Sequence, residues 1–420
     1  MRLNGIFKDN IVFQRDEQIR VFGVADNNAV SVLARILDGD EILSEGIADG
    51  DNLKEDGSFV IELDALPAGG PYTLWVDSQV DEITIHNVYI GEVWLAGGQS
   101  NMEYPLGRSD NARDVVTNCP VTRMHFYNVP VADTYDEKAA AAEDAARWAV
   151  VSADTCYDMT GVGFYFARKV SEYLETHDEE GKDLHFGIVG CYLGGTSVSS
   201  WQSVESLKRT PAGVMYLDDF KRECDKWTSD EEYQKAEDDF YNETMEYVAR
   251  VEKVLEKDRF LTYLQAESLI AQGGPWPPPV GPRSQRRPGA LFEAMLMRIV
   301  PFAFRGVIFY QGEEDVGKHP DVYEVVFRTM IEEWRELFRD EHMPFLFCQL
   351  PVFPEEGSQD YVDWGVVQAQ QALAAKTIPD VYMIDIMECG EINNVHPSDK
   401  KTPGLRLAAL AIKHVYGFDY

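Results

Sequence analysis

The sequence predicts an α/β protein in which a parallel sheet follows a small N-terminal β-sandwich. Residues 1–88 contain short, alternating apolar runs interrupted by Gly, Asp, Asn and Pro, a pattern typical of antiparallel strands. From residue 89, runs that are apolar on both faces alternate with amphipathic helical stretches, which indicates a parallel sheet with helices on each side. The length of 420 residues suits two or three domains.

The first 88 residues supply the strands of the predicted sandwich. These runs are rich in Val, Ile, Thr and aromatic residues, and several alternate with a period of two. Their sequences are IVFQ, IRVFGVA, AVSVLARIL, SFVIELDAL, YTLWVDS and DEITIHNVYI. Regular short strands of this kind predict a β-sandwich domain at residues 1–88.

Residues 89–420 form the second predicted domain. Its strand runs are VYIGEVWLAGG, DLHFGIVGCYLGG, FRGVIFYQGEED, PFLFCQLPVF and VYMIDIMECG. The helical stretches between them are FYFARKVSEYLETH, ALFEAMLMRIVPFA, DVYEVVFRTMIEEWRELFRD and GLRLAALAIKHVYG. Most strand runs end in Gly-rich or polar segments. Because open α/β sheets bind ligands at the carboxyl ends of their strands, we expect the chemistry there.

A helical insertion is predicted within this domain at residues 205–272. Residues 214–272 contain no Gly and no Pro, and apolar residues recur there at helical spacing. The next segment, residues 273–289, is a rigid Pro-rich loop, GGPWPPPVGPRSQRRPG. It carries Arg283, Arg286 and Arg287 in an otherwise acidic chain, which makes it a candidate substrate wall.

The charge balance limits the classes of partner. The chain has 72 acidic and 38 basic residues, a net charge of −34, which repels nucleic acid and anionic membrane surfaces. The 6 cysteines include no C-x-x-C pair and predict free thiols in a reducing compartment. The first residues lack an apolar signal-peptide core, and no run is apolar enough to cross a membrane, so we expect a cytoplasmic protein.

The first candidate for chemistry is Ser100 in GEVWLAGGQSNMEY, residues 91–104. It follows an apolar strand and two glycines, which let the backbone turn sharply and approach a ligand. A serine in this position suits a nucleophile at the sheet edge. The flanking residues, Gln99 and Asn101, differ from the G-x-S-x-G elbow of α/β-hydrolases. The alternative is a turn serine that caps the next helix.

Two further strands end in polar groups. In GIVGCYLGGTSVSSW, residues 187–201, the backbone N–H groups around Gly195 are candidate donors to an anion or oxyanion. In RGVIFYQGEEDV, residues 305–316, an apolar strand ends in Gln311 and Glu313, an amide and a carboxylate. The alternatives are an ordinary Gly-rich turn and the polar start of a loop.

The last candidate is His396 in NNVHPSDKKTPGLRLA, residues 393–408. Pro397 disfavours helix at His396, which places the histidine in a loop before the final helix. Its ordinary pKa suits a general base, and the alternative is a surface histidine. The sequence has no zinc-type His/Cys spacing and no nucleotide fingerprint, so we expect no metal or nucleotide cofactor.

These segments, in this order, resemble the sialate O-acetylesterase family of carbohydrate esterases in the SGNH hydrolase superfamily. The resemblance rests on GQSNME, a strand-borne YQGE and a late HP-x-x-K, and it covers nearly the whole chain. FKDNIVFQRDEQIRVFG resembles the opening of the family's β-sandwich. The resemblance implies an SGNH three-layer α/β/α fold and a cofactor-free serine esterase that removes acetyl groups from carbohydrates.

The resemblance also implies roles for individual residues. Ser100 is the nucleophile and His396 the general base. The oxyanion hole combines the backbone N–H groups of Ser100 and Gly195 with the side-chain amide of Gln311. The substrate-binding candidates are Asn101, Trp201 and Arg283; Trp364 is a further aromatic candidate, and core or loop packing is the alternative for the tryptophans and Arg283.

One departure concerns the acid that orients the histidine. The family often has D-x-H-P, whereas Asn393 and Asn394 precede His396 here. A triad Asp-to-Asn change costs about 10⁴-fold unless another group does the acid's work. We expect Glu313 to do so, because it belongs to the matched QGE run, with Glu391, Asp385 and a backbone carbonyl as other candidates. A Ser-His dyad and a weakened esterase are the remaining alternatives. The run continues as Glu314–Asp315 where the family commonly has Ser-Asn.

The substrate remains open at this point. A sialic acid carboxylate would require an arginine, which the Pro-rich loop offers, whereas a neutral xylan or mannan fragment would not. The principal expectation is a small acetylated sugar or oligosaccharide. The alternatives are an acetyl-xylan or other plant-oligosaccharide acetylesterase, a non-catalytic carbohydrate-binding protein on a decayed scaffold, and an esterase or thioesterase for non-carbohydrate acyl groups.

Overall fold

The computed structural model describes residues 1–26, 28–178, 181–270, 272–358 and 360–420. The strands are β1 Arg2–Leu3, β2 Val12–Gln14, β3 Ile19–Val24, β4 Ser31–Asp38, β5 Glu41–Asp49, β6 Ser58–Leu63, β7 Gly69–Asp77, β8 Glu82–Gly98, β9 Met124–Asn128, β10 Ala149–Val150, β11 Phe186–Tyr192, β12 Gly306–Tyr310, β13 Phe345–Cys348 and β14 Val381–Ile384. The helices are α1 Ser100–Glu103, α2 Ala112–Thr117, α3 Glu137–Ala145, α4 Gly161–His177, α5 Val204–Leu207, α6 Pro211–Cys224, α7 Asp230–Leu255, α8 Tyr263–Ser268, α9 Ala290–Ala294, α10 Tyr323–Phe338, α11 Tyr361–Thr377 and α12 Lys401–Leu410.

The central part of the main sheet has the order β10-β9-β11-β8-β12-β13-β14. Neighbouring strands from β9 to β14 run parallel, and only β10 at the edge of this series is antiparallel to its neighbour. Strands and helices alternate along this part of the chain, because parallel neighbours need a crossover connection. The predicted mixed α/β class is confirmed.

The two faces of the parallel strands carry separate apolar cores. Along β8, Trp94 and Ala96 belong to the core that α4 and α12 cover, whereas Val93 and Leu95 belong to the core that includes α10 and α11. All four side chains are fully buried. A strand buried on both faces must be apolar at consecutive positions, and this explains the uninterrupted runs in the sequence.

Strand β8 joins the two parts of the molecule. Its first half pairs with β2 and β7, and its second half pairs with β11 and β12, so the boundary expected at residues 88/89 lies inside one continuous strand. Glu92, fully buried in this strand, accepts hydrogen bonds from Arg15 Nε at 2.6 Å and Arg305 Nε at 3.0 Å. Tyr416 donates a third bond at 2.9 Å. A buried carboxylate requires such partners.

The N-terminal strands belong to two sheets, and most of them pair antiparallel. One sheet has the order β1-β3-β6, and β4 pairs with β5 and β7 in the other. Side chains at alternate positions of β4, namely Val32, Ala34 and Ile36, are fully buried. Strand β5 was not predicted, because EILSEGIAD is acidic and contains Gly46. That glycine lies against β6, where a Cβ would come within 2.5 Å of the carbonyl oxygen of Glu62.

Helices α6, α7 and α8 lie within the range 205–272 of the predicted insertion; residue 271 of that range is outside the described residues. Helix α7 is largely exposed, with Tyr233 as its buried residue. The predicted helical stretch ALFEAMLMRIVPFA is instead the short α9 followed by a 3₁₀ turn, because the backbone leaves helical geometry at Met295, where φ is −121° and ψ is −60°. None of the described helices is long and apolar enough to cross a membrane.

A buried histidine pair lies near the junction of the two parts. His125 of β9 is 1% exposed, and its Nε2 lies 2.8 Å from His185 Nδ1. His185 stacks on Tyr89 with 3.7 Å between the ring centroids. Burial, with the neighbouring histidine, lowers the pKa of His125 to about 3, and burial lowers that of His185 to about 4.

This pair predicts a loss of stability in mild acid. Between pH 6.5 and about pH 3 the unfolded chain binds a proton that buried His125 does not bind, so the free energy of unfolding falls as the pH falls. At pH 5 we expect His125 to lower the free energy of unfolding by about 2 kcal/mol relative to neutral pH. Urea unfolding of wild type and His125→Gln at pH 7.5 and pH 5 measures it, with exposed His86→Gln as the control. An identical pH dependence in wild type and His125→Gln would contradict this account.

Candidate active site at the carboxyl ends of three strands

The strand register brings the predicted segments to one level of the sheet. Gly98 of β8 pairs with Tyr192 of β11 on one side and with Tyr310 of β12 on the other. Residues 99–101, 193–196 and 311–313 therefore leave the sheet side by side. Gly98 has a φ of +131°, and a Cβ there would lie 2.1 Å from the carbonyl oxygen of Tyr310. Only glycine permits this close pairing.

Ser100 is the first residue of α1 and is half-buried. The N-cap is Gln99, and no side chain caps the helix, so Ser100 does not have the capping role that was the alternative. Among the described residues, neither the hydroxyl nor the backbone N–H of Ser100 has a protein hydrogen-bond partner. The turn at Gly194 lies against it, since a Cβ on Gly194 would be 3.1 Å from the Ser100 Cβ.

The Gly194–Gly195 turn leaves one N–H group available. Gly194 N–H donates to Glu103 Oε2 at 2.8 Å, whereas the Gly195 N–H has no acceptor in the described part of the chain. Gly195 has a φ of +68°. Arg286 holds the turn from outside, with its Nε 2.7 Å from the Gly195 carbonyl oxygen. The guanidinium also lies over Trp276, 5.0 Å from the ring centroid.

The side-chain amide of Gln311, expected to donate to an oxyanion, has acceptors within the protein. Its amide is 1% exposed, and Nε2 donates to the Thr196 carbonyl oxygen at 3.0 Å and to Asp315 Oδ2 at 2.5 Å. An amide nitrogen has two hydrogens, and Gln99 Oε1 at 3.2 Å is a third acceptor within their reach. Tyr323 also donates to Gln311 Oε1 at 3.0 Å. Gln311 therefore fixes the strand ends relative to one another.

Asp315 is part of the same buried structure. It is fully buried and also accepts from Tyr216 OH at 2.8 Å and from the Val198 N–H at 3.0 Å. Burial raises the pKa of Asp315, and these donors oppose the rise. The neighbouring Glu314 forms an ion pair with Lys318 at 3.3 Å. The departure from Ser-Asn thus places an acid inside the fold at position 315.

Asn101 connects the serine turn to the histidine loop. It is fully buried, and its Nδ2 donates to Glu313 Oε1 at 2.5 Å and to the Val395 carbonyl oxygen at 2.9 Å. Its Oδ1 accepts from Lys400 Nζ at 2.6 Å. These bonds use both amide hydrogens and the oxygen, so the side chain of Asn101, expected to contact substrate, links protein groups to one another.

His396 lies in the loop before α12, half-buried, with its ring centroid 6.0 Å from that of Tyr263 in α8. Its backbone N–H donates to Asn394 Oδ1 at 3.1 Å. Burial lowers the pKa of the imidazole to about 4, and the charge of Lys400 adds to the effect. Burial also raises the pKa of Glu313, which Asn101 and Lys400 oppose.

The described residues pair no carboxylate with the His396 ring. Glu313 accepts from Asn101, as above. Glu391 shapes the loop by accepting from Asn394 Nδ2 at 2.9 Å and from the Ser398 N–H at 3.2 Å. Asp385 accepts from the Met387 N–H at 2.9 Å. Among the described residues, the expected hydrogen bond between Glu313 and the His396 ring is therefore absent.

The aromatic and arginine candidates for substrate contact have partners within the protein. Trp201 is fully buried and donates to Thr196 Oγ1 at 3.1 Å, so its ring offers no face to a sugar. Trp364 is 5% exposed and donates to the Pro351 carbonyl oxygen at 2.8 Å. Arg283 pairs with Asp230 at 2.9 Å and with Glu237 at 3.1 Å on α7.

The structure adds residues that the sequence analysis did not single out. Trp276, 59% exposed, lies against Gly195, and Tyr263 faces His396. Lys400 is buried beside Asn101. The Pro-rich loop contains Trp276, and the HP-x-x-K run ends in Lys400, so both residues lie in segments that the sequence had marked. No sequence pattern pointed to Tyr263. In the described part of the chain, no group of three or more His, Cys, Asp or Glu is placed to hold a metal ion.

Known proteins that resemble this chain are esterases by name. Residues 221–413 match a family model described as carbohydrate esterase, sialic acid-specific acetylesterase; the matched part begins after Ser100. The sialate O-acetylesterase of Mus musculus is 22% identical over 97% of this chain and 72% of its own length. That of Rattus norvegicus is 23% identical over 86% of this chain and 64% of its own length, so the chain spans only about two thirds of these relatives.

A solved structure shares the fold. The carbohydrate acetylesterase XAC1771 from Xanthomonas citri is 23% identical, with a TM-score of 0.70, and the match covers 100% of this chain and 76% of that one. The relatives are carboxylic ester hydrolases by name, which is the predicted enzyme class. The chain is therefore related to the sialate O-acetylesterase family of carbohydrate acetylesterases, and the resemblance identified from its motifs is confirmed.

Proposed function

We propose that this chain is a serine O-acetylesterase that acts on acetylated carbohydrate, with Ser100 as nucleophile and His396 as general base. The observation that carries the proposal is the common register of β8, β11 and β12, which sets the Ser100 turn beside the Gly195 turn. Asn101 joins the first of these to the His396 loop. We also propose an SGNH three-layer core with a β-sandwich domain at residues 1–88, an assignment that the two N-terminal sheets support.

The proposed reaction is acyl transfer in two steps. His396 accepts the proton of the Ser100 hydroxyl as its oxygen attacks the acetyl carbonyl carbon. The tetrahedral intermediate collapses, the C–O bond to the sugar breaks, and the sugar oxygen takes the proton from His396. Water then attacks the acetyl-enzyme by the same route, which releases acetate and restores Ser100.

The backbone N–H groups of Ser100 and Gly195 form the proposed oxyanion hole. Both belong to adjoining turns, and neither has a protein acceptor among the described residues. A preorganised donor of this kind contributes about 10²- to 10³-fold to the rate. Gln311 supports the hole indirectly, because its bond to the Thr196 carbonyl oxygen fixes the residue that follows Gly195.

The base and nucleophile form a proposed Ser-His dyad. No carboxylate contacts the His396 ring among the described residues, and Glu313 reaches the two loops through Asn101. Burial keeps His396 neutral well below its ordinary pKa, so the imidazole is ready to accept a proton at neutral pH. The same burial makes it a weaker base, which limits the rate.

The proposed substrate is a small acetylated sugar or oligosaccharide. The exposed ring of Trp276 beside Gly195 suits stacking on a sugar, and the guanidinium of Arg286 packs on that ring. A sialate and a neutral xylo-oligosaccharide both remain candidates. We further propose a reducing, cytoplasmic location, in keeping with the free cysteines, and no nucleic-acid partner, in keeping with the net charge of −34.

Acetate release from a short panel tests the function. The panel consists of an aryl acetate, 9-O-acetylated sialic acid and acetylated xylo-oligosaccharides. Ser100→Ala and His396→Ala should each lower kcat at least about 10³-fold, because each removes a group that acts in the bond-making step. Exposed Ser268→Ala and His86→Ala serve as matched controls.

The panel also separates the alternatives. Preference for the sialate or for the xylo-oligosaccharide identifies the sugar, and preference for the aryl ester with no sugar turnover favours a non-carbohydrate esterase. No acetate release from any substrate by the wild-type protein would contradict the proposal and favour a carbohydrate-binding protein.

Gly195→Ala tests the oxyanion turn. A Cβ there would lie 2.4 Å from Trp276 Cη2, so the turn or the tryptophan must move. We expect kcat to fall at least about 10-fold, because the Gly195 N–H shifts from the reacting oxygen. Gly39→Ala is the matched control: Gly39 has a similar φ of +58° but open space around it. An equal effect of both substitutions on kcat would show that backbone strain alone is responsible.

The pH dependence of the proposed reaction follows from His396. A general base must be unprotonated, so kcat/KM should fall as the pH falls through about 4, the pKa that burial gives this histidine. Initial rates with an aryl acetate between pH 3.5 and 8 measure this profile, after confirmation that the protein stays folded over that range. An acid limb centred near pH 6.5, the ordinary histidine value, would contradict the described environment of the base.

A further inference from the structure

Lys400 is a buried ammonium next to the proposed active site. It is 1% exposed, it precedes helix α12, and its Nζ lies 2.6 Å from Asn101 Oδ1. The ammonium also lies over the rings of Tyr104 and Tyr310, at 4.5 Å and 5.6 Å from their centroids. Burial of a charge is costly unless partners compensate it, so this position requires an explanation beyond packing.

The contacts of Asn101 define its amide orientation. Its oxygen faces the ammonium of Lys400, and its nitrogen faces the carboxylate of Glu313 and the carbonyl oxygen of Val395. An ammonium only donates and a carboxylate only accepts, so the reversed amide would lose both charged partners. The order Lys400–Asn101–Glu313 therefore fixes the side chain in one orientation.

This orientation matters because of the sequence neighbours. Asn101 follows Ser100, and Val395 precedes His396, so the bond from Asn101 Nδ2 to Val395 joins the turn of the nucleophile to the loop of the base. Without the ammonium, the amide loses the partner that holds its oxygen. The link between the two loops then loosens.

Lys400 and His396 have different electrostatic surroundings. Lys400 faces Glu313 and, less closely, Glu391, Asp399, the Cys348 thiol and the two tyrosines. Burial lowers the pKa of Lys400 to about 7, against the effect of Glu313. His396 faces Lys400 and Tyr263, and no carboxylate enters its immediate surroundings among the described residues. The positive charge of Lys400 therefore favours the neutral imidazole.

We propose that Lys400 is a positioning residue of this esterase, which acts through Asn101 to hold the Ser100 turn and the His396 loop in reacting geometry. The inference rests on the proposed function. It adds a role for the last member of the HP-x-x-K run, which contacts neither the nucleophile nor the base directly.

Lys400→Met tests the role, since methionine keeps an unbranched side chain but removes the charge and the donor. We expect kcat to fall about 10- to 100-fold with KM changed less than about twofold, because misplacement of reacting groups affects the bond-making step. Asn101→Ala should give a similar loss. The double variant should be no worse than either single variant, because the two residues act as one unit. Exposed Lys401→Met is the matched control.

A histidine titration gives a readout that does not depend on turnover. The NMR signals of His396, assigned with His396→Gln, should titrate at higher pH in Lys400→Met than in wild type, because a nearby positive charge is gone. If Lys400→Met fails to fold, Lys400→Arg replaces it: it keeps the charge but not the compact ammonium, so kcat should fall while the His396 titration stays near that of wild type.

The outcomes separate this inference from the proposed function. Absence of acetate release by the wild-type protein would overturn the function, and the histidine titration would still test the link between Lys400 and His396. An unchanged kcat and an unchanged His396 titration in Lys400→Met would overturn the positioning role. A fall in kcat matched by a fall in the free energy of unfolding, with strictly additive effects of Lys400→Met and Asn101→Ala, would also overturn it.

Discussion

The pairing of β8 with both β11 and β12 at Gly98 determines where the Ser100, Gly195 and Gln311 segments of the site stand. Because parallel strands end at the same edge of a sheet, a shared register turns three distant segments of sequence into neighbouring turns. The close approach at Gly98, where no side chain fits, makes this register specific. The Ser100 and Gly195 turns then present backbone N–H groups without protein acceptors, which is the arrangement an oxyanion requires.

Two buried polar networks hold these turns in place. Asp315 and Gln311 link the end of β12 to the segment after β11 and to α6. Lys400, Asn101 and Glu313 link α12 to the serine turn and the histidine loop. In each network the donors and acceptors are matched, so the burial cost of the charges is offset and the geometry is fixed. Helix α8 and the Pro-rich loop then add Tyr263 and Trp276 at the outer side of the site.

The sequence was sufficient to locate the candidate groups but not to assign their contacts. Apolar runs followed by glycine or polar residues identify strand ends, which is why Ser100 and Gly195 could be singled out. His396 was recognisable because Pro397 places it in a loop before the final helix. The amide of Gln311 could not be assigned, because its acceptors depend on how Asp315 and the Thr196 turn fold around it. The burial of Trp201 could not be predicted either, because the residues around a tryptophan in the sequence do not show whether its ring is buried in the fold. Strand β5 was missed because pairing with β4 overrides its acidic composition.

The proposed esterase mechanism requires a covalent acetyl intermediate on Ser100, and trapping that intermediate is the most direct measurement. The protein would be mixed with an excess of aryl acetate, quenched in acid within milliseconds to seconds, digested, and mapped by mass spectrometry, with Ser100→Ala in parallel. We predict an acetyl group on the peptide that contains Ser100, formed and lost at rates consistent with turnover, and none at that position in Ser100→Ala. Steady acetate release with acetylation confined to another residue, or with equal turnover by Ser100→Ala, would contradict the account.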